Sequence, residues 1–159
     1  MMGLRYLLTR FKHWAKRDVK TWTYGVGNLD TEDPRYAFLF YDIDTHDPIT
    51  YHNVQKLFDE VFGDNFAVFA TKHGYLFISL QSLPIATLYT YYKELQYRAP
   101  SDYIFSVPLY ARLGPKISVK DGSIVSPPPR LYYHQRPPDE IKKIIATRMF
   151  PRVFYYTWD

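Results

Sequence analysis

Apolar and polar positions organise this chain into a short series of elements. Residues 36–43, YAFLFYDI, form an apolar run whose side chains divide by alternation into two faces, the signature of a strand in a sheet interior. Similar short runs recur at 66–70 (FAVFA), 75–80 (YLFISL) and 102–107 (DYIFSV). Two segments between them have a longer rhythm. Val54, Leu57, Phe58 and Val61 fall three and four apart in 49–62, and Ile85, Leu88, Tyr89 and Tyr92 do so in 84–97. That spacing predicts two amphipathic helices. Asp47-Pro48 suits the start of the first and Gly63 its stop. Ser82 is expected to cap the second, with Pro84 in its first turn.

The order is then β-α-β-β-α-β. Two split units of this kind close into one antiparallel sheet, with both helices on one face and the first and third strands in the middle. The flanks are simpler. Leu4, Leu7, Leu8, Phe11 and Ala15 predict a helix over 4–18, with Arg5, Arg10, Lys12, Lys16 and Arg17 mostly on its other faces. Residues 25–35, GVGNLDTEDPR, read as a loop because Gly, Asn, Asp and Pro crowd it. Residues 113–130 predict a hairpin turning at Asp121-Gly122 and stopped by three prolines. Residues 138–149 predict a short helix with Ile141, Ile144 and Ile145 inward, and the final VFYYTW adds an edge strand or covers a sheet face. The chain reads as a single domain over 1–159: a basic helix and loop at 1–35, a core at 36–112, and a hairpin, helix and aromatic tail at 113–159.

At 159 residues and 47% apolar, the chain is long and hydrophobic enough to bury a core, which argues against wholesale disorder. It has no Cys, so disulfides, thiolate metal sites and a cysteine nucleophile are excluded. No apolar run approaches the roughly 20 residues of a membrane span, and MMGLRYLLTRFKHW lacks the pattern of a secretory leader. The expected compartment is the cytoplasm, with no membrane partner. The net charge of +4 is unevenly spread: residues 1–20 and 130–152 are basic, whereas 28–64 carry nine acids against two bases. Basic ends around an acidic middle suit a protein that holds a polyanion near a cation-binding centre; ordinary surface solvation gives the same counts.

The acidic middle has one pointed feature. Alternation along 36–44 puts Phe38, Phe40, Asp42 and Asp44 on one face of a central strand. Two carboxylates there are costly unless something positive meets them. Side chains at i and i+2 are close enough to grip a hard cation such as Mg²⁺ or Mn²⁺, which orients triphosphates and neutralises charge in phosphoryl transfer. The plainer reading is that Asp44 or Asp47 only caps the next helix. A second feature is the turn between the next two strands, Thr71-Lys72-His73-Gly74, whose amides and cations suit phosphate; a plain hairpin with surface charges has the same pattern. Aromatics are frequent, and Tyr132, Tyr133, Tyr155 and Tyr156, among basic and turn residues, are the expected exposed rings for base stacking.

Together these segments resemble the archaeo-eukaryotic primases, a family of primase-polymerases with an RRM-like (ferredoxin-like) catalytic core. LFYDID matches the apolar strand ending in Asp-x-Asp; Thr71 to Leu76 lie where the family has its Ser-x-x-Gly-x-His segment. Asp102, then Arg112-Leu113-Gly114-Pro115 and Lys120-Asp121-Gly122, follow the third motif. The resemblance spans about residues 36–126 and implies an α+β fold and metal-dependent nucleotidyl transfer in nucleic-acid replication. It implies Asp42, Asp44 and Asp102 as catalytic ligands of Mg²⁺ or Mn²⁺. It implies Thr71, Lys72, His73, Arg112 and Lys116 as nucleotide or phosphate contacts. Its partners would be a nucleic-acid template, a nucleoside triphosphate and another replication protein. Leu76 departs from the family, which has a nucleotide-contacting His there, and His73, three residues earlier, does not replace it. The alternative is a non-catalytic nucleic-acid-binding replication factor on the same fold.

Overall fold

The computed structural model describes residues 21–99, 110–111, 116–118 and 130–156. The expected helix at 4–18, the strand at 102–107 and the turn at Asp121-Gly122 lie outside them. The elements in chain order are β1 (Thr21–Asp30), β2 (Tyr36–Ile43), α1 (Pro48–Phe62), β3 (Phe66–Ala70), β4 (Tyr75–Pro84), α2 (Ile85–Arg98), β5 (Tyr110–Ala111), β6 (Lys116–Ser118), β7 (Arg130–His134), α3 (Pro138–Arg148) and β8 (Met149–Tyr156). The class is mixed α+β on an antiparallel sheet.

The strand path is β5-β1-β2-β4-β3-β7, with β6 and β8 also paired to β1. As expected, the strands at 36–43 and 75–84 lie inside. The expected RRM-like order is not reproduced, however: β1 occupies the place beside β2 where a strand following α2 was anticipated. The expected loop at 25–35 is therefore corrected, because β1 runs through Asp30. Gly25, Gly27 and Asn28 read as breakers, but long-range pairing with β8 along Thr21–Gly27 overrides that local preference. The buried polar residues Asn28 and Asp30 of β1 are provided for. Asn28 is fully buried and donates to the carbonyl of Phe38 at 3.3 Å. The tail 149–156 does add a strand, as β8.

Alternation along β2 divides the core. Ala37, Leu39, Tyr41 and Ile43 face α1 and α2, packing with Val54, Leu57, Phe58, Phe62, Leu88, Tyr92 and Leu95. Tyr41 is fully buried there; burial pushes its hydroxyl up to about 12, so it stays protonated and donates to the carbonyl of Ala99. The other face carries Phe38, Phe40, Leu76 and Ile78 against Val26 and Met149, and Ala67 and Leu80 against Ile141 of α3. The second face is thus partly covered by α3, not open as the sequence implied. Ile141 is buried and Ile144 and Ile145 pack beside it, as predicted.

The helix ends follow local chemistry with one exception. The Asp47 carboxylate accepts from the amide of Thr50 at 3.0 Å, Pro48 opens the first turn, and Gly63 ends α1 at φ 60°. Ser82, expected as the cap of α2, is instead part of β4, and its hydroxyl donates to Asp30 at 2.6 Å. Helix α2 starts at Ile85 without a side-chain cap, and Tyr89, expected on its inner stripe, is 52% exposed. Asp30 itself is a built-in charge: 2% exposed, it accepts from Arg148 at 2.6 and 3.3 Å and from the amide of Glu32 at 3.0 Å. Burial pushes its carboxyl up, but the bonds from Arg148 and Ser82 outweigh that and hold it below the usual range.

Candidate functional site

The acidic end of β2 is fixed by its pairing with β4. Asp42 lies opposite Leu76, and Ile43 opposite Tyr75. On the far side of β4, Leu76 lies opposite Phe69 and Tyr75 opposite Ala70; beyond them, β7 puts Leu131 opposite Phe69 and Arg130 opposite Ala70. Two rows therefore cross the sheet at this end. Asp42, Leu76, Phe69 and Leu131 form the first; Ile43, Tyr75, Ala70 and Arg130 form the second. By alternation the first row faces the α3 side and the second the α1 side.

The Thr71–Gly74 turn joins β3 to β4 against the end of β2. The amide of Thr71 donates to the carbonyl of Gly74 at 2.9 Å, and the amide of Gly74 donates to the Thr71 hydroxyl at 3.1 Å. A Cβ on Gly74 would fall 1.8 Å from the carbonyl oxygen of Ile43 and 2.7 Å from the amide of Thr45. Only glycine lets this turn seat on the backbone between Asp42 and Asp44. Lys72 and His73, at its tip, are exposed. Thr71 accepts within the turn and keeps its hydroxyl proton to donate.

The structure thus gathers five of the eight sequence-predicted site residues at one end of the sheet: Asp42, Asp44, Thr71, Lys72 and His73. Asp42 is half-buried in the strand. Asp44 lies one residue past β2 and is exposed, so only one of the two carboxylates stands in the strand itself. Asp102 and Arg112 lie outside the described residues. Lys116 falls in β6 opposite Thr23 of β1, off the two rows just described.

Asp47, the plainer explanation for an acid in this loop, does cap α1, as its hydrogen bonds from Thr50 record. Those bonds hold its carboxyl below the usual range. Asp42 and Asp44 are left outside that capping role. Among the described residues no group of three or more His, Asp or Glu side chains is placed to hold a metal ion. The two β2-end carboxylates are hard oxygen donors suited to Mg²⁺ or Mn²⁺, but among these residues they have no third acidic partner.

Sequence reasoning missed the cross-strand neighbour of Asp42, because pairing register is set by bulges that no local pattern reveals. Between Phe38 and Phe40 the pairing of β2 with β4 shifts, from Phe38 opposite Ser82 to Phe40 opposite Ile78. Buried Ser79 fills the irregularity: its hydroxyl accepts from the amide of Leu39 at 2.8 Å and donates to the carbonyl of Gln81 at 2.9 Å. Also missed was the contact of Tyr51, Tyr75 and Tyr132 beside the second row. The signal available for it was the spacing Arg130-x-Tyr132 at the start of β7.

No protein-family model, curated protein or solved structure matches the chain. Among the described residues, no helix is long and apolar enough to cross a membrane.

Proposed function

We propose that the protein is a primase-polymerase-like module of nucleic-acid replication, and that the end of β2 and the Thr71–Gly74 turn receive the metal-bound triphosphate of a nucleotide. The observation that carries this reading is the seating of Gly74 on the Ile43–Thr45 backbone. It fixes an amide-rich turn bearing Lys72 and His73 beside the two acids. A divalent ion, when bound, would screen the triphosphate and polarise its phosphorus. In this proposal Asp42 and Asp44 hold that ion, and Asp102 completes the set as the resemblance implies. Lys72 and the turn amides position phosphate oxygens, and Arg112 and Lys116 add charge to them.

One observation favours the non-catalytic alternative. The residue opposite Asp42 is Leu76, 5% exposed and packed with Phe40 and Ile78. It offers no hydrogen bond to a nucleotide at the position where the resembled family has its His. A scaffold that binds nucleotide or nucleic acid weakly, with little turnover, fits that substitution.

The test is calorimetric titration of the full chain with Mn²⁺ and a nucleoside triphosphate, paired with a template-dependent primer-synthesis assay. Metal-dependent nucleotide binding that is lost in Asp42→Asn supports the proposal, and synthesis decides between the active and non-catalytic forms. Nucleotide binding that is absent, or indifferent to both metal and Asp42, overturns it.

A further inference from the structure

On the α1 side of the same sheet end lies an aromatic cluster that the proposed chemistry leaves unused. Tyr51 comes from the first turn of α1, Tyr75 from the start of β4 and Tyr132 from β7. Their ring centroids are 4.7 Å apart for Tyr51–Tyr75, 5.0 Å for Tyr75–Tyr132 and 5.6 Å for Tyr51–Tyr132. His46 adds a fourth ring, 5.6 Å from Tyr75 and edge-on. Tyr51 and Tyr75 are half-buried and form the base of the cluster, while Tyr132 remains 56% exposed.

A bulge produces that exposure. Leu131 pairs with Phe69 and Tyr133 with Val68, so one step along β3 matches two along β7, and Tyr132 is the extra residue. In an unbroken ladder Tyr132 would take the place opposite Val68. Tyr133 holds that place instead, its ring 5.7 Å from Phe66, and Tyr132 is displaced to the rim. Bulges that re-aim one side chain recur beside functional sites.

The β7 side of the cluster is cationic. Arg130, exposed, stands two residues before Tyr132 on the same side of β7 and opposite Ala70, the residue preceding the Thr71–Gly74 turn with its exposed Lys72 and His73. β7 is the terminal strand of the path; Arg130 and Tyr132 are exposed on the α1 side, while exposed His134, beyond the bulge and opposite Ala67, is on the α3 side. The nearby Asp47 carboxylate, bonded by Thr50, stays charged, and Asp59 also acts on Tyr51, so acids stand on the α1 side of the cluster and cations on its β7 side. A ring open on one side and flanked by a guanidinium and an ammonium matches the two parts of a nucleotide unit, a flat base and an anionic phosphate. An aliphatic protein partner would have no use for those cations.

We infer that Tyr132, supported from beneath by Tyr51 and Tyr75, is a stacking platform for a base of single-stranded nucleic acid, with Arg130 and Lys72 on its phosphates. This rests on the proposed function only in requiring that the chain handle nucleic acid. The platform lies on the opposite face of the sheet from Asp42 but at the same end, so a strand stacked there passes beside the acidic end of β2.

The experiment is fluorescence anisotropy of the full chain with a fluorescein-labelled single-stranded oligonucleotide of mixed sequence at fixed low salt. Tyr132→Ala is expected to weaken binding about tenfold, the scale of losing one base–aromatic stack. Tyr132→Phe keeps the ring and binds as the parent does, and Tyr97→Ala, at a residue 86% exposed on α2, leaves binding unchanged. The Phe variant separates loss of stacking from loss of fold. If the parent binds and Tyr132→Ala binds equally well, the platform is overturned while the nucleotide site stands. If the parent binds no strand, the platform is also overturned, and the Mn²⁺-nucleotide titration judges the proposed function separately.

Discussion

Arg148→Ala tests what holds α3 over the second face of the sheet. The Arg148 guanidinium makes two of the hydrogen bonds received by the buried Asp30 carboxylate, at 2.6 and 3.3 Å, leaving Ser82 and the Glu32 amide as its donors. Charge-assisted hydrogen bonds contribute about 1.5–3 kcal/mol each, and breaking a fully buried ion pair costs about 3–5 kcal/mol. Arg148 is one-third exposed, its side chain at 32% against 3% for Asp30, so water screens part of the interaction. The expected loss is about 2–3 kcal/mol, or roughly 5–10 °C in Tm for a chain of this size. The loss should depend on pH with a definite sign. Because the folded Asp30 titrates below its unfolded value, its contribution is complete above the unfolded pKa of about 3.9 and fades as pH falls through the folded one. The variant keeps the burial that raises the carboxyl and loses Arg148, so the stability gap to the parent is widest near neutrality and narrows in acid. Urea unfolding followed by circular dichroism at several pH values measures this directly. A gap that stays constant from neutral pH to about pH 3, or one within about 0.5 kcal/mol throughout, would refute the assignment of Asp30–Arg148 as a stabilising clamp.

Two further substitutions probe the sheet end. Gly74→Ala drives a Cβ into the backbone of Ile43 and Thr45, which cannot rotate away; urea unfolding should show a loss of about 2 kcal/mol or more, with weaker nucleotide binding in any folded fraction, and parent-like stability would disprove the close contact. Leu76→His places an imidazole opposite Asp42 at the cost of a buried leucine, about 1–3 kcal/mol. Under the proposed function it should tighten Mn²⁺-dependent nucleotide binding about fivefold or more, the scale of one new hydrogen bond, as read by calorimetry; a folded variant with unchanged affinity removes the cross-strand argument.

The parts of the fold that depend on local pattern were legible in advance. β2, β3 and α1 matched their apolar spacing, and Asp47 and Gly63 marked the ends of α1 because capping is decided within a few residues. The parts that depend on distant partners were not. β1 looks like a loop in its own residues, and becomes a strand because β8 arrives to pair with it. Ser82 has the composition of a cap, yet its hydroxyl goes to Asp30, far away in sequence, and β4 continues past it. Tyr89 keeps the helical spacing of a core residue but faces outward. At the site, the Asp-x-Asp end and the basic turn were legible as separate segments. Their adjacency was not, because it depends on the Gly74 contact and on the register of β4.

That register determines which chemistry faces which side. Side chains alternate along β4, so a slip by one residue would exchange Leu76 and Tyr75 across the sheet. Tyr75 would then stand beside Asp42, and the stack of Tyr51, Tyr75 and Tyr132 would lose its middle ring. Two features oppose the slip. Ser79 bridges Leu39 and Gln81 at the irregularity between β2 and β4, and Gly74 can approach Ile43 only where no Cβ intervenes. The slip that brings Tyr75 beside Asp42 would move His73 into the Gly74 position, where its Cβ would clash with that backbone. The acidic strand end and the aromatic platform are therefore not independent: the same hairpin register that keeps an apolar residue opposite Asp42 keeps a ring beneath Tyr132. A variant that loosens this register should impair metal-dependent nucleotide binding and strand binding together, whereas Asp42→Asn and Tyr132→Ala should separate them.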